Sequence, residues 1–425
     1  MLKIPNLREQ SFLVYGLGLT GRSVINYFKK KNFLNFKVYD DKEKKLFKGH
    51  IAKNLNKTLE QVDYIVLSPG ISLYKNINLK KYEKKIITDI DLFYLTNKKF
   101  KSIVVTGTNG KSTTCKLLDH ILRNNKFKCF MGGNIGKPIL NLNKVNNSFV
   151  IIEASSFQLS HSKFIRPNFA FFLNLSNDHI DWHGNVKEYL SAKLKIFKNQ
   201  NKNQHAIINK SFTAVFKKKK FLSKLTIPKL KDYKKIKYKI KNNYLTSSIN
   251  DENMNFVFAF SKLIKINQKS FIKSIQSFKG LPHRFEIFMK KKNITFIDDS
   301  KATSWNSAIS AISGIKNIFW IVGGLPKKGD KINLTKYKKN IIKCYIIGKN
   351  INFFKKQIKG KASFSISNNL ETAIIQIFKD YKSYKINDCY IILSPAAASF
   401  DQFENFEIRG THFKKLCKKY ARKLI

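Results

Sequence analysis

The residues best suited to chemistry lie where an apolar run, Ser102 to Val105, gives way to Thr106-Gly-Thr-Asn-Gly-Lys-Ser-Thr-Thr114. A strand that ends in glycines and restarts as a helix near Lys111 aims successive backbone N–H groups, and the positive helix end, at one point. Gly107 and Gly110 let the backbone curl there. Lys111 can reach terminal phosphates and Ser112 can ligate magnesium, while Thr108, Asn109 and Thr113 complete the loop and the helix start. The chemistry implied is nucleotide hydrolysis or phosphoryl transfer. Val105 stands where the G-x-x-x-x-G-K-[ST] pattern has its first glycine, so the loop is a shortened form.

Two further groups bear on this loop. Glu153 ends the apolar run Val150 to Glu153, and His179 falls in Asn174-Leu-Ser-Asn-Asp-His-Ile-Asp181. A carboxylate and an imidazole at two strand ends could share a magnesium ion, although a histidine alone is more often a surface or packed residue. Near the start, Gly16-Leu-Gly-Leu-Thr-Gly21 follows the run Phe12 to Tyr15, with Asp40 ending the next strand at the spacing of an acidic ribose ligand. Alone this is a dinucleotide fingerprint. Beside a separate phosphate loop it reads equally as a seat for the diphosphate of another nucleotide. Ser68-Pro-Gly70 closes that pocket or is a plain turn.

The elements that must position these residues are short apolar runs alternating with helical stretches. The runs are Phe12 to Tyr15, Phe36 to Tyr39, Tyr64 to Leu67, Ser102 to Thr106, Val150 to Glu153, Ala170 to Leu173 and Ala206 to Ile208. They resume with Thr295 to Ile297, Ile318 to Val322, Cys344 to Ile347 and Tyr390 to Leu393. Strands each followed by a turn and a helix predict an α/β fold with parallel sheets. Sheets beginning near Phe12, Ser102 and Thr295 predict domains 1–97, 98–282 and 283–425, and 425 residues suit two to three cores. The Lys-rich stretch Lys210 to Lys241 has weak periodicity and receives no element.

Composition excludes some classes. The apolar runs are too short to span a bilayer, and Met1 to Gln10 lacks a signal-peptide core, so a cytoplasmic protein without membrane insertion is expected. Five cysteines without a CxxC pair argue against a disulfide framework or a zinc site. The net charge of +54 would suggest a nucleic-acid partner. The excess is nearly all Lys, is spread over the chain and accompanies Asn, Ile and Phe, residues sharing A- and T-rich codons. Genome composition therefore competes as its cause, and no specific nucleic acid is expected.

The motifs together resemble the Mur ligase family of peptidoglycan synthesis, over nearly the whole chain. The resemblance rests on those already quoted and on Gly132-Gly-Asn-Ile-Gly136, Glu153-Ala-Ser-Ser-Phe-Gln-Leu159, Asn177-Asp-His179, Leu281-Pro-His-Arg284, Asp299-Ser-Lys-Ala-Thr303 and Ser394-Pro-Ala-Ala-Ala-Ser-Phe-Asp-Gln-Phe403. The shortened phosphate loop is typical of Mur ligases and folylpolyglutamate synthases. Ser155 to Leu159 and Ser399 to Phe403 resemble the D-glutamate-adding branch.

That resemblance implies three domains: a Rossmann-like domain for a UDP-sugar, a central P-loop ATPase and a Rossmann-like closing domain. It implies ATP and two magnesium ions as cofactors, with UDP-N-acetylmuramoyl-L-alanine and D-glutamate as substrates of a monomeric enzyme. Leu19, Thr20, Asp40, Ser68 and Gly70 match uridine-diphosphate positions, and Asn134 one near the sugar. Lys111, Ser112, Glu153 and His179 match phosphate and metal positions, and Lys193 a lysine that the family carbamylates. A carbamate offers oxygens to a cation, which a protonated amine cannot. Asn250 and Asn253 match residues bracketing adenine, with Ile249 in place of the usual His. His283, Arg284 and Asp299 match the ATP-facing side of the closing domain, Arg284 near the γ-phosphate. Lys301, Thr303, Lys327, Ser399 and Phe406 match the D-glutamate neighbourhood, with Lys328 a near rival of Lys327. Because these groups belong to different domains, closure on binding is expected.

Three other readings remain open at this stage. A sister ligase adding another amino acid would differ only in its acceptor pocket. A basic nucleic-acid-binding ATPase would show salt-sensitive DNA binding coupled to hydrolysis. A nicotinamide dehydrogenase would show an NADH-induced fluorescence change.

Overall fold

A computed structural model of the chain describes residues 7–42, 49–176, 178–242, 245, 250–327, 329–384, 386 and 388–424. Asn177, Ile249 and Lys328, singled out above, lie outside the described residues. Strands β1 (Phe12–Tyr15), β2 (Phe36–Tyr39), β3 (Tyr64–Leu67) and β4 (Ile86–Ile87) form a parallel sheet of order β2-β1-β3-β4. A second parallel sheet, of order β10-β9-β8-β5-β7-β6, contains β5 (Lys101–Thr106), β6 (Cys129–Gly133), β7 (Phe149–Glu153), β8 (Phe169–Phe172), β9 (His205–Ile208) and β10 (Lys224–Thr226). The third comprises β11 (Glu286–Lys291), β12 (Ile294–Asp298), β13 (Ile318–Gly323), β14 (Ile341–Ile347), β15 (Phe364–Asn368) and β16 (Cys389–Leu393), in order β11-β12-β16-β13-β14-β15. Its β11–β12 pair is antiparallel.

The inner strands are uninterrupted apolar runs because parallel sheets are covered on both faces. β1, β7 and β13 are buried at every position. One core cluster runs from Phe12 and Val14 of the first sheet to Val104 and Val150 of the second. In the third sheet, Trp320 and Ile346 belong to a cluster on one face and Phe319 and Tyr345 to a cluster on the other. The chain accordingly divides into two compact units, Met1–Lys239 with Glu252–Gln276, and Ile240–Asp251 with Ser277–Ile425.

Every run read as a strand is one, with ends that agree to within three residues. The third sheet opens one strand earlier than Thr295, at Glu286. The Lys-rich stretch folds into the helices Thr213–Lys218 and Leu230–Lys237 around the edge strand β10. Phe216, Tyr233 and Ile236 turn inward there while most of the lysines face solvent. All five cysteines are buried free thiols. Among the described residues, no helix is long and apolar enough to cross a membrane.

Two buried carboxylates start the helix Asp89–Thr96. Asp91 joins the first sheet's region to the second's, accepting from Ser162 Oγ at 2.7 Å and from the backbone N–H of Phe164 at 2.7 Å. Asp89 has one oxygen, Oδ1, buried without a hydrogen-bond partner, and burial pushes its carboxyl up to about 6. The folded state therefore holds this proton more tightly than the unfolded chain does. Its stabilising effect is complete below the ordinary carboxylate range and is lost as pH rises through about 6. Asp89→Asn, neutral at every pH, is expected to raise thermal stability at pH 8 by up to about 3 kcal/mol. The gain should shrink below pH 5, as measured by melting at both pH values; a pH-independent gain, or a loss at pH 8, would refute this account.

Candidate active site

In the first unit the predicted residues gather at the carboxyl edge of the second sheet, where ligands of open α/β sheets bind. Register explains their proximity. Val105 of β5 pairs with Glu153 of β7, and Gly133 of β6 pairs with the same Glu153. Val105 is a buried strand residue, so β5 runs straight into the loop and no first glycine is needed. Gly110, at φ +81°, caps the helix Lys111–Asn124; a Cβ there would meet Asn253 Oδ1 at 2.2 Å. Asn253 is buried and also accepts from Thr114 Oγ1 at 3.3 Å. The loop is braced from β8's end, since Thr108 N donates to Asn174 O and Asn109 N to Asn174 Oδ1, at 3.0 and 2.9 Å. Glu252, which sequence reasoning missed, clamps two strand ends by accepting from Asn174 Nδ2 and Asn209 Nδ2.

Lys111 folds back over the loop, its Nζ donating to Gly107 O and Thr108 O at 2.9 and 2.8 Å. Ser112 is buried at the helix start, beside Thr113. Lys193, on the helix Val186–Lys198, is 1% exposed, and its Nζ donates to the same Gly107 O at 2.8 Å. Burial, then the nearby Lys111 charge, hold its amine well below the usual lysine range. The amine is therefore readily neutral, the form that reacts with carbon dioxide to give a carbamate. Tyr189 supports both sides, with its ring 4.6 Å from Lys193 Nζ and its hydroxyl 3.0 Å from Thr108 Oγ1.

Glu153 is 2% exposed. Its Oε1 accepts from Asn134 Nδ2 at 2.8 Å, whereas Oε2 is buried with no hydrogen-bond partner. A buried carboxylate oxygen left unpaired costs free energy that a cation would recover. Directly after it, Ser155 and Gln158 form a capping box that starts the helix Ser156–His161. That helix presents Phe157, whose ring packs against His179 and Trp182, both at 4.7 Å. His179 adopts a left-handed backbone, φ +55°, and lies 3.4 Å from Asp178 Oδ2. Oxygen-rich donors with one imidazole, an orphaned carboxylate oxygen and a depressed lysine suit magnesium better than a softer ion.

At the first sheet, the glycines of Gly16 to Gly21 serve close approach: a Cβ on Gly21 would meet Gly16 O at 1.8 Å. Asp40 accepts from Leu17 N and Lys42 N at 2.6 and 2.8 Å, and Ser68 Oγ donates to Gly16 O at 2.7 Å. These side chains therefore shape the loop. Leu19 is 83% exposed at the start of the helix Leu19–Lys30, with Thr20 beside it, and Gly70 is exposed on the neighbouring turn.

In the second unit, His283 is buried with φ +61°, its Nδ1 2.7 Å from Asp298 Oδ2. Glu286 accepts from His283 N at 2.8 Å, and Lys414 Nζ reaches both Glu286, at 2.9 Å, and Asp298, at 3.8 Å. His283, Glu286 and Asp298 could together hold a metal by distance, but the Lys414 ammonium already supplies the cation. Asp299 accepts from Phe285 N at 3.0 Å and Ser394 Oγ at 2.8 Å, and burial raises its carboxyl to about 7. It thereby anchors the segment carrying Arg284. Lys301 Nζ sits 3.7 Å over the Phe406 ring. Ser399 is buried, and Thr303 and Lys327 are half-buried. Asn250 is also buried, in the second unit's share of the chain.

Arg409 escaped the sequence reading altogether. It is 1% exposed and donates to Ser300 Oγ, Ser300 O and Ala397 O at 2.8 to 3.0 Å. It thus ties the helix Phe406–Leu424 to the segments bearing Lys301 and Ser399. Gly410 lets that helix approach, since a Cβ there would meet His283 Nδ1 at 2.2 Å. An Arg-Gly pair in a Lys-rich chain was the available signal.

With this geometry in view, the known relatives fall into place. The family profile of the Mur ligase middle domain matches residues 105–276, and that of the Mur ligase MurD-like N-terminal domain matches residues 10–88. The fold resembles the MurF ligase from Thermotoga maritima in complex with ADP, at TM-score 0.58 and 16% identity over 99% of this chain and 98% of that one. It also resembles UDP-N-acetylmuramate-alanine ligase MurC from the same organism, at TM-score 0.55 and 15% identity over 98% of this chain and 100% of that one. A UDP-N-acetylmuramoylalanine–D-glutamate ligase from Rickettsia prowazekii is 36% identical over 97% of this chain and 99% of the relative. One of the same name from Buchnera aphidicola is 35% identical over 97% and 99%. The chain belongs to the Mur ligase family, in the branch of UDP-N-acetylmuramoylalanine–D-glutamate ligases.

Proposed function

We propose that the carboxyl edge of the second sheet activates a carboxylate with ATP, and that the activated acyl group is passed to an amine. The chain is an ATP-dependent amide ligase that adds D-glutamate to UDP-N-acetylmuramoyl-L-alanine in peptidoglycan precursor synthesis. The observation that carries the site assignment is the convergence of Lys111, Lys193 and the loop on Gly107, with Glu153 in register beside them.

A substrate carboxylate oxygen attacks the γ-phosphorus, the bond to ADP breaks, and an acyl phosphate forms. The D-glutamate amine then attacks the acyl carbon, inorganic phosphate leaves and the amine gives up a proton. Lys111 and the loop N–H groups hold the phosphates, and Arg284 neutralises γ-phosphate charge; in phosphoryl transfer such positioning and neutralisation supply most of the catalysis. Ser112, Glu153, His179 and Lys193 as its carbamate would hold magnesium, which supplies further charge neutralisation when bound. Asn250 and Asn253 flank adenine. Leu19, Thr20, Asp40, Ser68, Gly70 and Asn134 bind the UDP-sugar, and Lys301, Thr303, Lys327, Ser399 and Phe406 the amino acid and acyl group. Domains 1–97, 98–282 and 283–425 divide this labour in a cytoplasmic monomer.

The test is phosphate release with UDP-N-acetylmuramoyl-L-alanine and ATP, comparing D-glutamate with L-glutamate, L-alanine and diaminopimelate. Release confined to D-glutamate is expected. Release confined to another of these amino acids would assign the acceptor pocket to a sister ligase.

A further inference from the structure

At the opposite end of the second sheet, where its strands begin, a cavity of about 800 Å³ opens. Lys101, Phe149 and Phe169 stand at the starts of β5, β7 and β8, and Phe127 and Lys128 immediately precede β6. β5 runs from Lys101 to Thr106, so at ~3.3 Å per residue the cavity lies about 17 Å from the phosphate loop. It therefore has no part in the ATP chemistry.

Its wall is aromatic. Phe127 meets Phe149 edge-on at 5.5 Å, and Phe169 packs edge-on against Phe260 at 5.1 Å. Phe127 nonetheless remains 36% exposed. Five lysines and no carboxylate line the same cavity, and Lys101 Nζ lies 5.9 Å from the Phe149 ring centroid. Surface lysines alone would signify nothing in so basic a chain. A ring-lined concavity beneath them does, because its volume is that of a small-molecule pocket and its two chemistries face one ligand.

We propose that this cavity binds an amphiphilic anion: an apolar body, linear or flat, lying against Phe127, Phe149 and Phe169, with one acidic head group reached by Lys101, Lys128 and Lys265. An acyl chain carboxylate and an aromatic acid share this chemistry, and competition separates them.

The probe is 8-anilinonaphthalene-1-sulfonate, titrated by fluorescence into the full chain with ADP and UDP present. Saturable binding is expected, weakened at least about tenfold by Lys101→Glu with Lys128→Glu, at unchanged melting temperature, and by Phe127→Ser, while ligase turnover stays at the wild-type value in both. Displacement by dodecanoate identifies an acyl ligand, displacement by 2-naphthoate an aromatic one, and displacement by both supports the shared chemistry. Displacement by neither overturns the proposal. So does a signal that appears only when ADP and UDP are left out, equal displacement by dodecanol and dodecanoate, or unchanged affinity in both variants.

Discussion

Replacing Lys111 by Ala is expected to lower turnover by about 10³-fold, roughly 4 kcal/mol of transition-state stabilisation. The amine donates to two carbonyls of the loop, Gly107 O and Thr108 O, from which it can swing onto a phosphate. Its side chain is only half-buried and caps no helix, so the fold should survive with a melting point within a few degrees. Removing this charge also relieves one of the two causes that depress Lys193, so Lys193 should titrate higher in the variant. Phosphate release and thermal melting measured together decide the matter. Turnover within threefold of wild type would dismiss the loop as the phosphate site.

The second large effect concerns Lys193. Lys193→Ala is expected to cost about 10²-fold or more in turnover. A purely structural role would give a loss that no additive repairs. If the residue acts as a carbamate, formate or acetate can enter the space left by the side chain and restore part of the activity. The wild-type enzyme in ¹³C-bicarbonate should, in addition, show a carbamate carbon signal that Lys193→Ala lacks. An active variant, or an inactive one with neither rescue nor a lost signal, would remove Lys193 from the metal site.

Legibility in the sequence followed burial. Each strand that the apolar runs missed, β4, β6, β10, β11 and β15, lies at the edge of its sheet. β4 is only two residues long, both buried isoleucines, too short to read as a run, whereas the other four expose part of their surface, so they need no continuous apolar run and Gly132-Gly133 or Lys290-Lys291 can sit within them. The helices of the Lys-rich stretch were hidden in the same way, each held by one inward ring, Phe216 or Tyr233, among many lysines.

The site divides along a different line. The loop was readable because the role proposed for it resides in local backbone geometry: glycines, a helix start and a lysine at fixed spacing. The segment Ser155 to Leu159, read as a mark of acceptor choice, also packs Phe157 against His179, a contact that no local pattern could reveal.

What the sequence alone determined is therefore the α/β class, the nucleotide loop and, through its motifs, the family. Only the tertiary structure brought Glu153 into register with Val105, buried Lys193 against Gly107 O and drew Arg409 to Ser300, a residue 109 positions away. Strand register and burial are properties of distant segments in contact. They set which carboxylate oxygen lacks a partner and which amine is pushed toward its neutral form, and neither is written in any short run of residues.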